Sequence, residues 1–265
     1  MKRQIFSRPD RYCAFTGDLR HWTVSMDITG APGFMRNIRA VFISDLHVTN
    51  RTTSEHMQKL ADSINSLRPD ILLMGGDYAD KREDAIRFYK SLRSVKAPLG
   101  KYAAIGNNDG EDWEGYEQVR KAMGENGIEL LVNESKSIPV DGGTICVAGV
   151  DEPKHGAPDY AELYPEAPTE GVYRILLSHF PQVPRVLPDL MLSGHTHGGQ
   201  FNAFGITPFT IGFERIMNNE EFSDAIAGLH DMDGAKLLVS KGVGASRLQL
   251  RIGVRPEIYD LRFEC

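Results

Sequence analysis

A chain of 265 residues that is 41% apolar and 25% charged has ample material for a buried core, which argues against a disordered or low-complexity polymer. The net charge of −6 argues against a nucleic-acid track, because the densest basic stretches, Lys81–Arg82 and Arg251–Arg255, are short. Three widely spaced cysteines, Cys13, Cys146 and Cys265, fit neither a disulfide framework nor a zinc ribbon and point to a reducing compartment.

The start, Met1-Lys2-Arg3, leads into no apolar run of leader length, since Arg8, Asp10 and Arg11 interrupt it. No stretch approaches the roughly 20 apolar residues of a membrane span. The expectation is a cytoplasmic protein with no transmembrane segment, with peripheral membrane contact left open.

In chain order, Arg39 to Ser44 reads as a buried strand ended by Asp45. Met57, Leu60, Ile64 and Leu67 recur at helical spacing over Ser54 to Leu67, with Thr52, Thr53 or Ser54 as N-cap. Ile71 to Met74 is the next strand and runs into Gly75-Gly76-Asp77. A helix covers about Asp84 to Arg93, and a strand over Lys101 to Ile105 leads to Gly106-Asn107-Asn108-Asp109. A third helix follows near Asp112 to Asn126.

Beyond Gly127 three consecutive strands are expected over Ile128–Val132, Lys136–Val140 and Thr144–Val150, with a turn at Asp141-Gly142-Gly143. Arg174–Ser178 and Leu190–Ser193 are two more buried strands, each running into a histidine. Lys236–Ser240, Leu248–Ile252 and Glu257–Phe263 complete the set. Residues 1–35, 151–170 and 202–230 are the least regular. The pattern predicts a layered α/β fold in one domain spanning 1–265.

Five of these strands end in metal-ligand residue types: Asp45-Leu46-His47, Asp77, Asn107-Asn108-Asp109, His179, and Gly194-His195-Thr196-His197. Residues that follow buried strands emerge together at one edge of a sheet. Carboxylate, amide and imidazole donors without cysteine suit Mn²⁺, Fe or Zn²⁺ in a catalytic rather than a structural role. In Asp45-x-His47 and His195-x-His197 the two side chains of an extended segment would point the same way and reach one metal cluster.

This ordered set resembles the calcineurin-like metallophosphoesterases, whose pattern is Asp-x-His, Gly-Asp, Gly-Asn-His-Asp/Glu, a lone His, then Gly-His-x-His. Gly-His-Thr-His-Gly-Gly-Gln at 194–200 resembles one bacterial branch, as does the closing stretch from Val239 to Ile258. The resemblance implies a four-layer αββα sandwich, two mixed sheets flanked by helices, with a dinuclear metal site at the strand ends. By position it implies that Asp45, His47 and His197 bind one metal, that Asn107, His179 and His195 bind the second, and that Asp77 bridges them. The implied cofactors are two divalent ions, Mn²⁺ foremost, with Fe or Zn²⁺ as alternatives. The implied reaction is hydrolysis of a phosphodiester or pyrophosphate by a metal-bridging hydroxide.

The sequence departs from that pattern at Asn108, where the family carries a histidine paired with the following acid, here Asp109. Asparagine cannot deliver a proton near neutral pH. Asn108 and Asp109 are the candidate catalytic pair, and three readings of Asn108 stay open. It suits an activated diphosphate, as in the UDP-2,3-diacylglucosamine pyrophosphatases, relatives that also lack this histidine. Alternatively it is an introduced His-to-Asn change that traps substrate. In the third reading it belongs to a protein that binds metals and a phosphate ligand with little turnover. The expected partner is a small-molecule or lipid-linked phosphate, with no nucleic acid, and the oligomeric state is open.

Other residues carry weaker signals. Residues 202–226 hold Phe204, Ile206, Phe209, Ile211, Phe213, Ile216 and Met217 and are read either as packing or as an apolar lid, with Arg215 available to a distal phosphate. His155 is read as a solvated loop residue in preference to one that borders the site or contacts substrate, and His21, His56 and His230 as structural. Gln200 is read equally as a phosphate donor or as part of a turn. Trp22 and Trp113 are read as packing residues.

Overall fold

The computed structural model describes residues 12–110, 112–161, 163–164, 169–203, 206–207, 225–232 and 234–265. In chain order they form β1 (Cys13–Phe15), β2 (Trp22–Thr29), β3 (Arg39–Ile43), α1 (Ser54–Ser66), β4 (Ile71–Met74), α2 (Arg82–Ser91), β5 (Lys101–Ala103) and α3 (Tyr116–Gly124). Then come β6 (Glu129–Leu130), β7 (Glu134–Val140), β8 (Gly143–Gly149), β9 (Val172–Leu177) and β10 (Leu190–Ser193). The last are β11 (Gly228–Met232), β12 (Ala235–Val239), β13 (Leu250–Ile252) and β14 (Glu257–Glu264).

Two six-stranded mixed sheets carry the fold, ordered β2-β14-β3-β4-β5-β6 and β11-β12-β10-β9-β8-β7. Side chains alternate across each strand, so Val41, Ile43, Leu72 and Met74 face the helices while Ala40, Phe42, Ile71 and Leu73 face the second sheet. Ile145, Val147, Ile175, Leu177, Leu190 and Leu192 meet them from the other side. Burial on both faces explains why these strands read as continuous apolar runs. Each fully buried Leu, Ile or Met contributes about 1.5–3 kcal/mol.

The α-helices pack through the stripe expected for α1, with Met57, Leu60, Ala61 and Ile64 buried. Thr53 is the N-cap: its Oγ1 accepts from His56 N at 3.2 Å, and His56 Nδ1 accepts from Thr53 N at 3.3 Å. His56 therefore closes a capping box in the place usually taken by Glu or Gln. Among the described residues all three α-helices cover the first sheet. Among the described residues the outer face of the second sheet is closed by Tyr160, Leu163, Tyr164 and Val186.

Two differences from the sequence reading have physical causes. The third helix starts at Tyr116 rather than Asp112, because Gly115 takes φ 110° and the Asp112 carboxylate accepts from Arg82 N at 3.0 Å, at the start of α2. β2 lies within a stretch read as irregular. It is an edge strand whose Thr23, Ser25 and Asp27 leave Ile28 as its one fully buried side chain, so it lacks an apolar run. Among the described residues no helix is long and apolar enough to cross a membrane.

Candidate metal centre

β3, β4 and β5 run parallel, as do β9, β10 and β12, so their C-terminal ends deliver the predicted residues to one edge. The loops there are interlocked by backbone hydrogen bonds. Asp45 N donates to Gly76 O at 2.9 Å, Leu46 N to Asp77 O at 2.8 Å and Gly244 N to Asp45 O at 2.6 Å.

The two i, i+2 pairs are not extended, contrary to the sequence reading. Asp45 (φ 52°), His47 (φ 42°), Asp77 (φ 56°), His195 (φ 67°) and His197 (φ 51°) all take the left-handed conformation. Such backbone costs a non-glycine residue on the order of 1 kcal/mol or more, and it persists where surrounding contacts over-determine it. His197 also opens a short 3-10 turn to Gly199. The side chains converge because the chain turns sharply at each of them. Close approach fixes glycine at two positions: a Cβ on Gly106 would stand 2.3 Å from Asp77 Oδ1, and one on Gly194 would stand 2.4 Å from Asp45 Oδ2.

Two groups of candidate ligands form there, Asp45 with His47 and His197, and Asp45 with Asp77 and His179; within each, the donor atoms lie inside 4.8 Å of one another. His47 Nε2 and His197 Nε2 face each other at 3.2 Å, and His197 Nε2 is 3.6 Å from Asp45 Oδ1. Asp77 Oδ2 lies 3.4 Å from His47 Nε2 and 3.3 Å from His179 Nε2, between the two groups. Asn107 Oδ1 is 3.1 Å from His195 Nδ1. The rear nitrogens of two rings are held: His47 Nδ1 donates to Asp80 Oδ1 at 3.0 Å and His179 Nδ1 to Gly75 O at 2.7 Å. That arrangement fixes the orientation of both rings and turns their Nε2 atoms inward. Phe180, 1% exposed, stacks on His195 with ring centroids 3.9 Å apart.

The electrostatics are those of a site shaped for cations. Burial pushes the Asp45 carboxyl up, whereas Asp77 is held well below its usual range, burial being outweighed by His179 and His47. Burial pulls His179 down, but the charges of Asp77 and Asp45 carry it up to about 10. Burial, followed by neighbouring positive charge, drives His195 down to about 3 and His197 far down, so both rings stay neutral and keep lone pairs for a ligand role. The Nε2 of His179 is buried without a hydrogen bond of acceptable geometry. Oxygen and nitrogen donors only, two carboxylates and an orphaned buried imidazole nitrogen together fit divalent cations.

Asn108 and Asp109 take roles that the sequence did not suggest. Asn108 N donates to Asp77 Oδ1 at 2.9 Å and Asn108 Nδ2 to Asp77 Oδ2 at 2.7 Å, so this residue clamps Asp77. Asp109 is 2% exposed, and its oxygens accept from the backbone N–H groups of Asp77, Tyr78 and Gly106 at 2.7–2.8 Å. It braces the loops after β4 and β5. Burial and the charge of Asp77 push its carboxyl up to about 7.

Gln200 Nε2 donates to Ser246 O and Leu248 O, and its Oε1 accepts from Ser246 N, so the amide ties two loops together. His155 Nδ1 meets Glu152 Oε1 at 3.1 Å, while His21 and His230 bind backbone carbonyls. Trp22 lies beneath Arg255 and Trp113 beneath Arg82. Of the expected lid, 204–205 and 208–224 lie outside the described residues; Ile206 is exposed.

Sequence reasoning missed Asp80, Ser44 and Arg251. Ser44 Oγ donates to Asp45 Oδ2 at 2.5 Å. Arg251, fully buried, donates to Gly244 O at 2.6 Å and to His197 O at 3.2 Å, and lies against the His197 ring. A carboxylate three residues after Asp77 was a signal for Asp80; Arg251 had none, being distant in sequence and within a stretch read as a strand and for its charge.

Fold and site together define a metal-dependent phosphoester hydrolase. Residues 38–199 match the family model described as calcineurin-like phosphoesterase, and the chain belongs to that family. It is 26% identical to the uncharacterized metallophosphoesterase YkoQ of Bacillus subtilis, over 92% of this chain and 90% of that protein. Identity to the uncharacterized protein YpbG of Bacillus subtilis is 30%, over 82% of this chain and 78% of the relative. A zebrafish (Danio rerio) transmembrane protein with metallophosphoesterase domain is 30% identical over 90% of this chain, which spans 56% of that protein.

Proposed function

We propose that the chain is a dinuclear phosphodiesterase or pyrophosphatase. In this reading Asp45, His47 and His197 hold one cation, Asn107, His179 and His195 hold the second, and Asp77 is shared. The observation that carries it is the position of Asp77 Oδ2, 3.4 Å from His47 Nε2 and 3.3 Å from His179 Nε2, where one carboxylate oxygen serves both groups. Bound there, a pair of divalent cations supplies Lewis acidity and activates water near neutral pH. Mn²⁺ suits the donor set, with Fe and Zn²⁺ as alternatives.

The protein's own contribution is positional. Asn108 aligns Asp77, Asp109 holds the two loops in register, and Asp80 and Gly75 orient the imidazoles. Asn108 offers no proton to a leaving oxygen, which favours a substrate whose leaving group is already a stable anion. A nucleotide-linked diphosphate of a sugar or lipid in the cytoplasm meets that requirement.

The clamp on Asp77 also favours a second reading, a protein that holds metal and phosphate with little turnover. Hydrolysis of bis(p-nitrophenyl) phosphate by Mn²⁺-loaded protein, with metal content measured on the same sample, separates the two. Two cations per chain with turnover supports the enzyme. Two cations without turnover, on this ester and on UDP-sugars, supports the binding protein.

A further inference from the structure

β1 and β13 form a two-stranded ribbon outside both main sheets, with Cys13 opposite Ile252 and Phe15 opposite Leu250. Paired residues share a face, and alternation sends their neighbours to the other. The inner face is polar and lies against the metal loops. Arg251 donates to His197 O at 3.2 Å, Gln249 donates to His47 O at 3.5 Å, and Thr16 is buried. The outer face is apolar. It presents Phe15, 69% exposed, Ile252, 39% exposed, and half-buried Leu250, with Leu248, 54% exposed, just ahead of the strand. A bridge to Ile252 adds Phe201, and the neighbouring bridge from Ala203 adds Ile206, 58% exposed. Single exposed apolar residues are ordinary, but an apolar face that is continuous across paired segments marks a contact surface.

The rim of this face is basic. Arg247 precedes Leu248 and is exposed, as is Arg51. A Cβ on Gly17 would lie 3.8 Å from Gln249 Oε1 and 3.9 Å from Arg51 Cβ, which puts Arg51 at the same end of the ribbon. At the other end Arg255 lies over Trp22, 5.4 Å from the ring centroid, and Trp22 meets the ring of Tyr12 at 5.3 Å. Asp18, in the turn after β1, is paired with Arg20 at 3.4 Å. Residues 1–11, which lead into β1, carry Lys2, Arg3, Arg8 and Arg11 against Asp10. A chain of net charge −6 thus gathers positive charge around its apolar face.

We propose that this face docks on an anionic membrane surface, with the apolar side chains entering the headgroup layer and the basic ones meeting lipid phosphates. Trp, Tyr and Arg around an apolar patch suit that boundary, because each has an apolar body and a polar tip. A second copy of the chain fits less well, since a two-fold contact would set Arg51, Arg247 and Arg255 against their own copies. Docking brings the loops of His47 and His197, directly behind the inner face, to the bilayer. Membrane docking goes beyond the hydrolase reading and does not depend on it.

The test is co-sedimentation with phosphatidylcholine vesicles, with and without about 30% phosphatidylglycerol, in EDTA so that no metal bridges protein and lipid. Wild type should bind the anionic vesicles at least about tenfold more tightly than the neutral ones, and about 0.5 M salt should remove most of that preference. Phe15→Ser combined with Leu248→Ser should lower binding at least about tenfold, whereas Phe15→Trp should keep it. Both positions are exposed, so melting temperatures should stay at the wild-type value. Arg51→Gln combined with Arg247→Gln leaves the apolar face intact and should lower the anionic preference about fivefold or more. Binding to neither vesicle, or binding that survives both pairs of substitutions, would overturn membrane docking. So would a dimer in sedimentation velocity that Phe15→Ser and Leu248→Ser dissolve, because it would assign the face to a second copy.

Discussion

Asn108 holds both carboxylate oxygens of Asp77, through its backbone N–H at 2.9 Å and its carboxamide at 2.7 Å. Asp77 itself lies between His47 and His179, so the residue that departs from the family pattern grips the carboxylate on which both ligand groups converge. A side chain read from sequence as a deficient acid thus has a second role, as a positional clamp.

Metal should stabilise the fold. Asp45 and Asp77 are buried in one cluster, and ions that bind the folded chain raise its stability by linkage. At a hundredfold excess over Kd one bound ion contributes about 2.7 kcal/mol, which for a chain of this size corresponds to a melting shift of about 5–10 °C. Asp77→Ala should remove at least half of that shift. Identical melting curves in EDTA and in saturating Mn²⁺ would contradict a preformed centre.

Asp80 should matter for metal and little for folding. Its side chain is half exposed and touches His47 from behind, at 3.0 Å from Nδ1. Partners of this kind affect metal affinity by about 10–100-fold when removed. Asp80→Asn should therefore weaken Mn²⁺ binding by about tenfold, measured by competition with a chromophoric chelator, while urea denaturation in EDTA stays within about 0.5 kcal/mol of wild type. A loss of stability with unchanged affinity would show that Asp80 serves the loop and not the imidazole.

Arg251 should behave in the opposite way. Its guanidinium is fully buried and donates to Gly244 O and His197 O. Truncation strands these carbonyls, at about 1–3 kcal/mol for each buried group left unpaired. Arg251→Met should lower unfolding stability in EDTA by about 2–4 kcal/mol in urea titrations. A change below about 0.5 kcal/mol would mean that the pocket rehydrates and that Arg251 is not part of the scaffold.

The contrast between Asp80 and Arg251 also marks what the sequence could tell. The strand ends at Asp45, Asp77, Asn107, His179 and His195 were legible because β3, β4, β9 and β10 are buried on both faces and end abruptly in polar residues. The partners behind the rings were not. His47 meets a side chain 33 residues away, beyond the neighbouring strand β4, and His197 one 54 residues away on β13, contacts that only the tertiary fold creates. The left-handed backbone at Asp45, His47, Asp77, His195 and His197 was hidden for a related reason. Sequence reasoning looks for glycine where φ is positive, and here tertiary hydrogen bonds hold other residues there.

The most discriminating experiment concerns the leaving group. If Asn108 lacks only proton delivery, Asn108→His should accelerate esters with poor leaving groups much more than those with good ones, since an acid catalyst offsets leaving-group basicity. On nitrophenyl esters or a UDP-linked diphosphate the two proteins should differ by about tenfold or less. On an alkyl phosphodiester the gap should approach the roughly 10²–10⁴-fold range of general acid catalysis. The clamp complicates this in a useful way. Histidine at 108 keeps the backbone donation to Asp77 Oδ1 but cannot reproduce the carboxamide bond to Oδ2, so it also probes the alignment of Asp77. Misalignment would change every rate by the same factor, whatever departs, because it acts before the bond breaks. Rates across a leaving-group series at fixed Mn²⁺ therefore separate the two roles: a slope that differs between the proteins assigns proton transfer, and parallel lines assign the clamp.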